Sequence, residues 1–529
     1  MKRRAFLSRL APALGTPFVL GGISMRAYAR SPRLDALTAA LSATDRVLVL
    51  VQLSGGNDGL NMVVPIDQYA AYQAARANIA LPEQSLLPLR TGLGLHPIMT
   101  DLHALHGEGR LVTIQNVSYP NPNQSHFRAT DIWMSGSAFN EYLSSGWIGR
   151  ALDVSFPGYP DGYPNAAMPD PPAIQIGAVL SLLMQGPAEL MGIAIQDPQT
   201  FYDLVNGKFG GGDDTPPNTP AGRELTYIRQ VQAESQAYST VIKQAADAAR
   251  NLATYPTPDT NDRAPLSEQL KIVARLIAGG LKTRVYIVNL GGFDTHDNQV
   301  DASDTKVGSH ATLLRRLSQS IAAFQRDLAL LGIEDRVVGM TFSEFGRRVT
   351  SNSGRGTDHG TAAPMFVFGS MVQSGVLGAN PDLSNLDRNN LRMEFDYRQI
   401  YASLHRQWFG FGTGDSTAVL GGSFTELPII RGSATGVEAS TADGFSLAQN
   451  HPNPFTHETT IQWSQTAEAD VHLAVYDTRG REVATIVQAR RGAGTHTAQL
   501  ASAGLPAGTY ILRLRAGRAQ AVRMMTRVH

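Results

Sequence analysis

Five short runs rich in Val, Ile and Leu most constrain the fold. They lie at 46–53, 111–117, 284–290, 336–342 and 365–368, and each ends in polar or glycine residues. Between them lie segments of helical periodicity at 223–252, 266–282, 310–331 and 396–409. In 310–331 the apolar residues Leu313, Leu314, Leu317, Ile321, Phe324 and Leu328 recur at helical spacing. Strands alternating with helices predict an α/β domain whose mostly parallel sheet is covered by helices on both faces. In such a sheet the strand C-termini share one edge, where ligands bind.

A chain of 529 residues exceeds what one core usually holds. The α/β pattern runs from about Arg30 to residue 432, with 155–222, rich in Pro and Gly, reading as a loop-rich insertion. Residues 433–444 are small and polar, as in a linker. Beyond them, short alternating strands at 459–463, 471–476 and 509–514 are separated by turn residues, predicting a β-sandwich over 445–529.

Lys+Arg and Asp+Glu both number 45, so there is no basic excess to suggest a nucleic-acid partner. The absence of Cys excludes disulfides and thiol catalysis, and suits an oxidising compartment. At the N-terminus, Met1-Lys2-Arg3-Arg4-Ala5-Phe6-Leu7 precedes a modest apolar stretch and Ala27-Tyr28-Ala29. This resembles a twin-arginine export signal over 1–29; a short amphipathic helix is the alternative. Pro12 and Pro17 interrupt the stretch, and no later segment offers the roughly 20 apolar residues of an integral membrane span. The mature protein is expected to begin near Arg30.

Four polar islands follow predicted strands: Asn57-Asp58-Gly59, Asn121 to Phe127, Gly291 to Asp297, and Ser343 to Arg347 continuing to Gly356-Thr357-Asp358-His359-Gly360. Asp and His suit divalent zinc, manganese or iron. Asp294 and His296 can face one side of an extended segment, and adjacent Asp358 and His359 can face two metals of a pair. The competing readings are turn chemistry for Asp58 and solvated loops for the Asp-His pairs. Ser125 precedes a predicted helix through Trp133, so it is either an N-cap or a nucleophile activated by a metal.

Two resemblances sharpen this. Leu447-Ala448-Gln449-Asn450-His451-Pro452-Asn453-Pro454-Phe455, Val475-Tyr476-Asp477-Thr478-Arg479-Gly480 and Ala507-Gly508-Thr509-Tyr510 resemble the type A sorting domain of the type IX secretion system. That implies recognition by export machinery and a secreted or outer-surface location, reached through the periplasm. A carbohydrate-binding or structural sandwich is the alternative.

Residues 46 to about 432 resemble the secreted family called domain of unknown function 1501. The pieces are Leu53-Ser54-Gly55-Gly56-Asn57-Asp58-Gly59, Ser125-His126-Phe127, Gly146-Trp147-Ile148-Gly149-Arg150, Phe293-Asp294-Thr295-His296, Ser343-Glu344-Phe345-Gly346-Arg347 and Gly356-Thr357-Asp358-His359-Gly360. The resemblance implies an alkaline phosphatase and sulfatase-like fold. It also implies metal ligands at Asp58, Asp294, His296, Asp358 and His359, with Ser125 as nucleophile.

The implied cofactor is a divalent metal, zinc foremost, with manganese, magnesium, calcium or iron as alternatives. His126, His310 or His405 would complete the ligand set. Without Cys, and without a Pro in Ser125-His126-Phe127-Arg128, the formylglycine route of sulfatases is not expected; the close spacing of Asp294 and His296, and the lack of a His in Thr361-Ala362-Ala363-Pro364, lead us to expect one metal, not two. Arg347 or Arg128 would hold the oxyanion of a small-molecule or polymeric phosphate or sulfate ester. The alternative is a non-catalytic surface protein that keeps the fold around a degraded site.

Overall fold

The computed structural model describes residues 17–20, 23–26, 45–206, 238–432 and, with short gaps, 446–528. The expected signal peptide thus lies outside the described residues except for a short antiparallel pair, Pro17–Leu20 with Ile23–Arg26. Residues 223–237 of one expected helix, and the 433–444 linker, also lie outside them. The chain divides into two compact units, Met1–Ser433 and Ala434–His529.

Along the first unit, strand β1 (Val47–Ser54) and strand β2 (Leu111–Ser118) are almost wholly buried. Helix α1 (His126–Ser135) follows, then short strands β3 (Ala173–Ile176) and β4 (Ile193–Ile195). Helix α2 (Leu266–Ala278), strand β5 (Val285–Gly291) and helix α3 (Ser309–Leu330) come next. Strand β6 (Val337–Phe342) leads to a hairpin of β7 (Arg347–Ser351) and β8 (Thr357–His359), and the chain returns through β9 (Ala363–Phe368). Strands β10 (Gly375–Leu377) and β11 (Phe395–Asp396) and helix α4 (Tyr397–Ser403) complete the elements used below.

The central sheet runs β10-β2-β9-β6-β1-β5-β3-β4, with β11 also pairing β2. All of its pairings are parallel except those of β9, which is antiparallel to both neighbours. The four strands expected at 46–53, 111–117, 284–290 and 336–342 therefore lie parallel in one sheet. Strands buried on both faces read as continuous apolar runs, which is why sequence found them.

Three features differ from expectation. The run at 365–368 is antiparallel, so it ends at the edge opposite the other strands. The stretch 155–222 is not loops alone, because β3 and β4 within it extend the sheet. The helix expected over 396–409 changes pitch: after Ser403 the segment Leu404–Trp408 is a π-turn. There Trp408 donates from its indole nitrogen to the Val47 carbonyl at 3.0 Å. A single widened turn is how a helix re-aims such a side chain.

On α3, Leu314, Leu317, Ile321, Phe324 and Leu328 are fully buried in the core. Among the described residues no helix is long and apolar enough to cross a membrane. The second unit pairs a three-stranded sheet (Ser446–Leu447, Glu458–Gln465, Gly494–Ala501) with a four-stranded one (Glu482–Arg491, Ala469–Tyr476, Gly508–Ala516, Ala519–Arg527). One core spans both, with Trp463 and Ile461 from the first sheet and Leu473, Val475, Leu512 and Leu514 from the second.

Candidate metal centre

The turns after β1, β2, β5 and β6 meet at one sheet edge. The loops after β1 and β5 touch so closely that a Cβ on Gly55 would lie 2.4 Å from the Asp294 backbone nitrogen. Gly55 also has φ +122°, so both space and backbone require glycine there. A Cβ on Gly356 would lie 2.2 Å from the His296 carbonyl oxygen. The β7–β8 hairpin is thereby pressed against the loop after β5.

His126, Asp294 and His359 form the group among the described residues able to hold an ion. One ligand atom from each lies within 4.8 Å of the others. His126 Nε2 is 3.5 Å from Asp294 Oδ2, and His359 Nε2 is 3.4 Å from Asp294 Oδ1. Tetrahedral ligands at about 2.0–2.1 Å from zinc sit roughly 3.3–3.4 Å from one another, so a trio spread over up to 4.8 Å would draw in slightly around an ion.

The far side of each imidazole is already committed. His126 Nδ1 bonds Glu344 Oε1 at 2.8 Å, and His359 Nδ1 donates to the Gln124 carbonyl at 2.8 Å. Both rings then turn Nε2 toward the group, the orientation in which imidazole binds metal, although His359 Nε2 also meets a neighbouring histidine. The His126 Nε2 is buried and has no hydrogen-bond partner, as an ion's ligand would be. Burial foremost, with the nearby Arg347 charge, holds the His359 pKa below its ordinary value. Burial alone would raise Asp294, but the Arg347 guanidinium outweighs it, and its carboxyl lies below the usual range.

His296 borders this group. Its Nε2 is 2.8 Å from His359 Nε2 and 3.1 Å from Asp294 Oδ1. Asp358 is exposed, accepts from Asn352 Nδ2 at 3.2 Å, and stands 3.7 Å from His296 Nδ1. Of the three histidines left open by sequence, His126 joins the group. His310 is buried against Asn57 Oδ1, its pKa pushed down to about 4 by burial. His405 is enclosed between Trp147 and Phe411, and burial takes its pKa down to about 3.

Asp58 stands outside the trio. It is fully buried, and its Oδ2 accepts from Arg76 Nη1 and from Gln299 Nε2, both at 2.6 Å. Burial by itself would raise its pKa, but Arg76 more than offsets this and the pKa is lowered. A guanidinium thus sits where the sequence suggested a metal beside this carboxylate.

The two arginines expected to hold a substrate oxyanion are also committed. Buried Arg347 donates to the Gly55, Gly56, Phe293 and Thr357 carbonyls and to Asp294 Oδ1. It fastens three loops together, leaving no fork for a substrate. Arg128 donates to the Phe139 and Glu141 carbonyls and lies 3.8 Å over the Tyr142 ring.

Ser125 is exposed at the N-cap position of α1, yet its side chain makes no capping bond. Its hydroxyl, one residue from His126, is not consumed by the helix.

Sequence reasoning did not single out Glu344, Arg76 or Gln299. Glu344 stood within a polar island, at the end of β6. Gln299 sits in polar loop sequence and Arg76 just past the short helix Tyr69–Ala75, with nothing to mark either as buried.

No curated protein matches the chain. Among solved structures, the PsFucS1 sulfatase of a Pseudoalteromonas species is 12% identical over 68% of this chain and 70% of that one, with a TM-score of 0.29. A protein in the alkaline phosphatase superfamily from Vibrio parahaemolyticus is 8% identical over 94% and 91%, with a TM-score of 0.35. A match to PorZ, a surface component of the type-IX secretion system of Porphyromonas gingivalis, is 17% identical. It covers 19% of this chain and only 14% of PorZ, with a TM-score of 0.13. At such scores these likenesses say nothing about chemistry here. Residues 215–417 match the family described as protein of unknown function (DUF1501), and residues 450–526 match the secretion system C-terminal sorting domain.

Proposed function

We propose that this protein is an exported, metal-dependent hydrolase of phosphate or sulfate esters, with one divalent ion held by His126, Asp294 and His359. The observation that carries it is the pair of imidazoles whose Nδ1 atoms are committed while their Nε2 atoms converge with an ionised carboxylate. A divalent ion at that point supplies Lewis acidity toward an ester oxygen. Zinc suits the nitrogen-rich donor set; manganese, magnesium, calcium or iron are the other candidates.

The chain's own residues divide the remaining work. Ser125 offers an exposed hydroxyl beside His126, at the N-terminus of the ten-residue helix α1, where backbone N–H groups favour an anion. Glu344 holds the His126 ring, and Arg347 holds Asp294 in place. His296, half-exposed at the rim of the centre and 3.1 Å from Asp294 Oδ1, is placed to move a proton.

The sorting-domain match supports export to the surface or the medium. The twin-arginine signal over 1–29, the passage through the periplasm and the type IX route belong to this proposal.

Metal analysis of the mature protein after incubation with zinc or manganese tests the centre. One ion per chain is expected, lost in the His126→Ala/His359→Ala double variant. A folded wild-type chain that retains no ion overturns the proposal. A chain that binds the ion yet turns over no member of a phosphate and sulfate ester panel is instead the non-catalytic surface protein. The commitment of Asp58 to Arg76 and of Arg347 to backbone carbonyls favours that second reading.

A further inference from the structure

Asp58 is buried, ionised and outside the ligand trio, yet its hydrogen bond to Gln299 leads toward that trio. We infer that Arg76, Asp58 and Gln299 form a buried relay that sets the spacing of the two ligand-bearing loops, with Gln299 as the positioning residue. This rests on the metal centre proposed above.

The Gln299 side-chain amide is fully buried and its two ends meet different chemistry. Nε2 donates to Asp58 Oδ2 at 2.6 Å. Oε1 accepts from Thr295 Oγ1 and from Thr357 Oγ1, each at 3.0 Å. Thr295 lies between Asp294 and His296, and Thr357 immediately precedes Asp358 and His359. One amide oxygen therefore ties the loop after β5 to strand β8. The Thr357 backbone nitrogen reinforces the tie by donating to the Thr295 carbonyl at 3.2 Å.

Hydroxyls can donate or accept, so the two threonines alone would tolerate either orientation of the amide. An ionised carboxylate accepts only, and it forces Nε2 toward itself. Arg76 keeps Asp58 in that state from a side chain whose other donors end on the Val349 and Arg348 carbonyls and Asn61 Oδ1. The charge pair thus acts on the metal ligands through one neutral amide.

Cobalt(II) titration of the full chain, following affinity and the visible absorption of the bound ion, tests this. Gln299→Met is expected to weaken cobalt binding by about 10–100-fold and to change the absorption, as loss of a group that orients ligands does. Thr357→Val, which keeps shape and removes the hydroxyl, should move both readouts in the same direction. Thr357→Ser, which restores the hydroxyl, should return them to wild type. If Gln299→Met does not fold, the Thr357 pair decides the matter. Wild-type affinity and absorption in folded Gln299→Met, or in Thr357→Val, would overturn the relay while leaving the metal centre standing. A folded wild-type chain that binds no cobalt removes both.

Discussion

The Arg76–Asp58 pair offers the sharpest test of how this site is supported. Both side chains are fully buried, and Arg76→Met would keep much of the bulk while removing the charge. Losing one partner of a buried ion pair costs about 3–5 kcal/mol, because the other charge is left without compensation. Here the Val349 and Arg348 carbonyls lose charged donors as well, so the upper part of that range is expected at pH 7.

The sign with pH follows from Asp58. In the wild type its folded pKa lies below 3.8, so its stabilisation is present above that value and lost as pH falls through the folded pKa. In Arg76→Met, burial is no longer offset and the folded pKa rises above the unfolded one. The variant is then destabilised most at neutral pH and recovers as acid protonates the carboxyl. Each tenfold gain in the carboxylate's proton affinity is worth about 1.4 kcal/mol. The assay is urea unfolding followed by tryptophan fluorescence from pH 7 to pH 4. Trp133, Trp147 and Trp408 report on the α/β unit, and a Trp463→Phe background silences the sandwich. An unfolding midpoint equal to wild type at pH 7, or a gap that widens in acid, would refute the reasoning.

Other expectations follow from the same geometry. Ser125→Ala should abolish ester turnover yet leave metal content unchanged, measured on one preparation; retained turnover would remove Ser125 as nucleophile. Glu344→Gln should weaken metal binding by about 10–100-fold, because the His126 ring loses its charged anchor. Gly55→Ala should destabilise the α/β unit by more than about 1 kcal/mol in the same urea assay, since its φ of +122° disfavours any side chain. Arg3→Lys/Arg4→Lys should leave precursor inside the cell, whereas deleting 445–529 should strand folded protein in the periplasm; fractionation distinguishes them.

What the sequence disclosed follows from which forces leave a pattern in it. Strands such as β1 and β2 are buried on both faces and α3 on one, so each carries an apolar run or stripe that needs no partner to be seen. Direction leaves no such trace: the apolar run of β9 reads the same parallel or antiparallel. The short strands β3 and β4 were hidden among Pro and Gly because runs of four and three residues are too short to show a period. At the site, Asp294 and His359 were visible as polar residues near strand ends, and His126 as one of three options. The pairing of Asp58 was not visible, because a carboxylate after a buried strand looks the same beside a guanidinium or beside an ion. The contacts of Arg347 were hidden for a related reason: buried arginines are rare, and only assembled loops supply five acceptors for one.

The antiparallel return of β9 has a consequence for the order of events in the chain's life. Because β9 runs back, the excursion that carries His359 leaves the sheet at Phe342 and re-enters at Ala363, both on the ligand edge. Closing that excursion requires β9 to pair with β2, a strand roughly 250 residues earlier, and such distant pairings form slowly. For the proposed centre, the compartment in which the sheet closes would then be the one that supplies the ion. A chain that crosses its first membrane already folded would carry an ion drawn from the cytoplasm, whatever the supply outside.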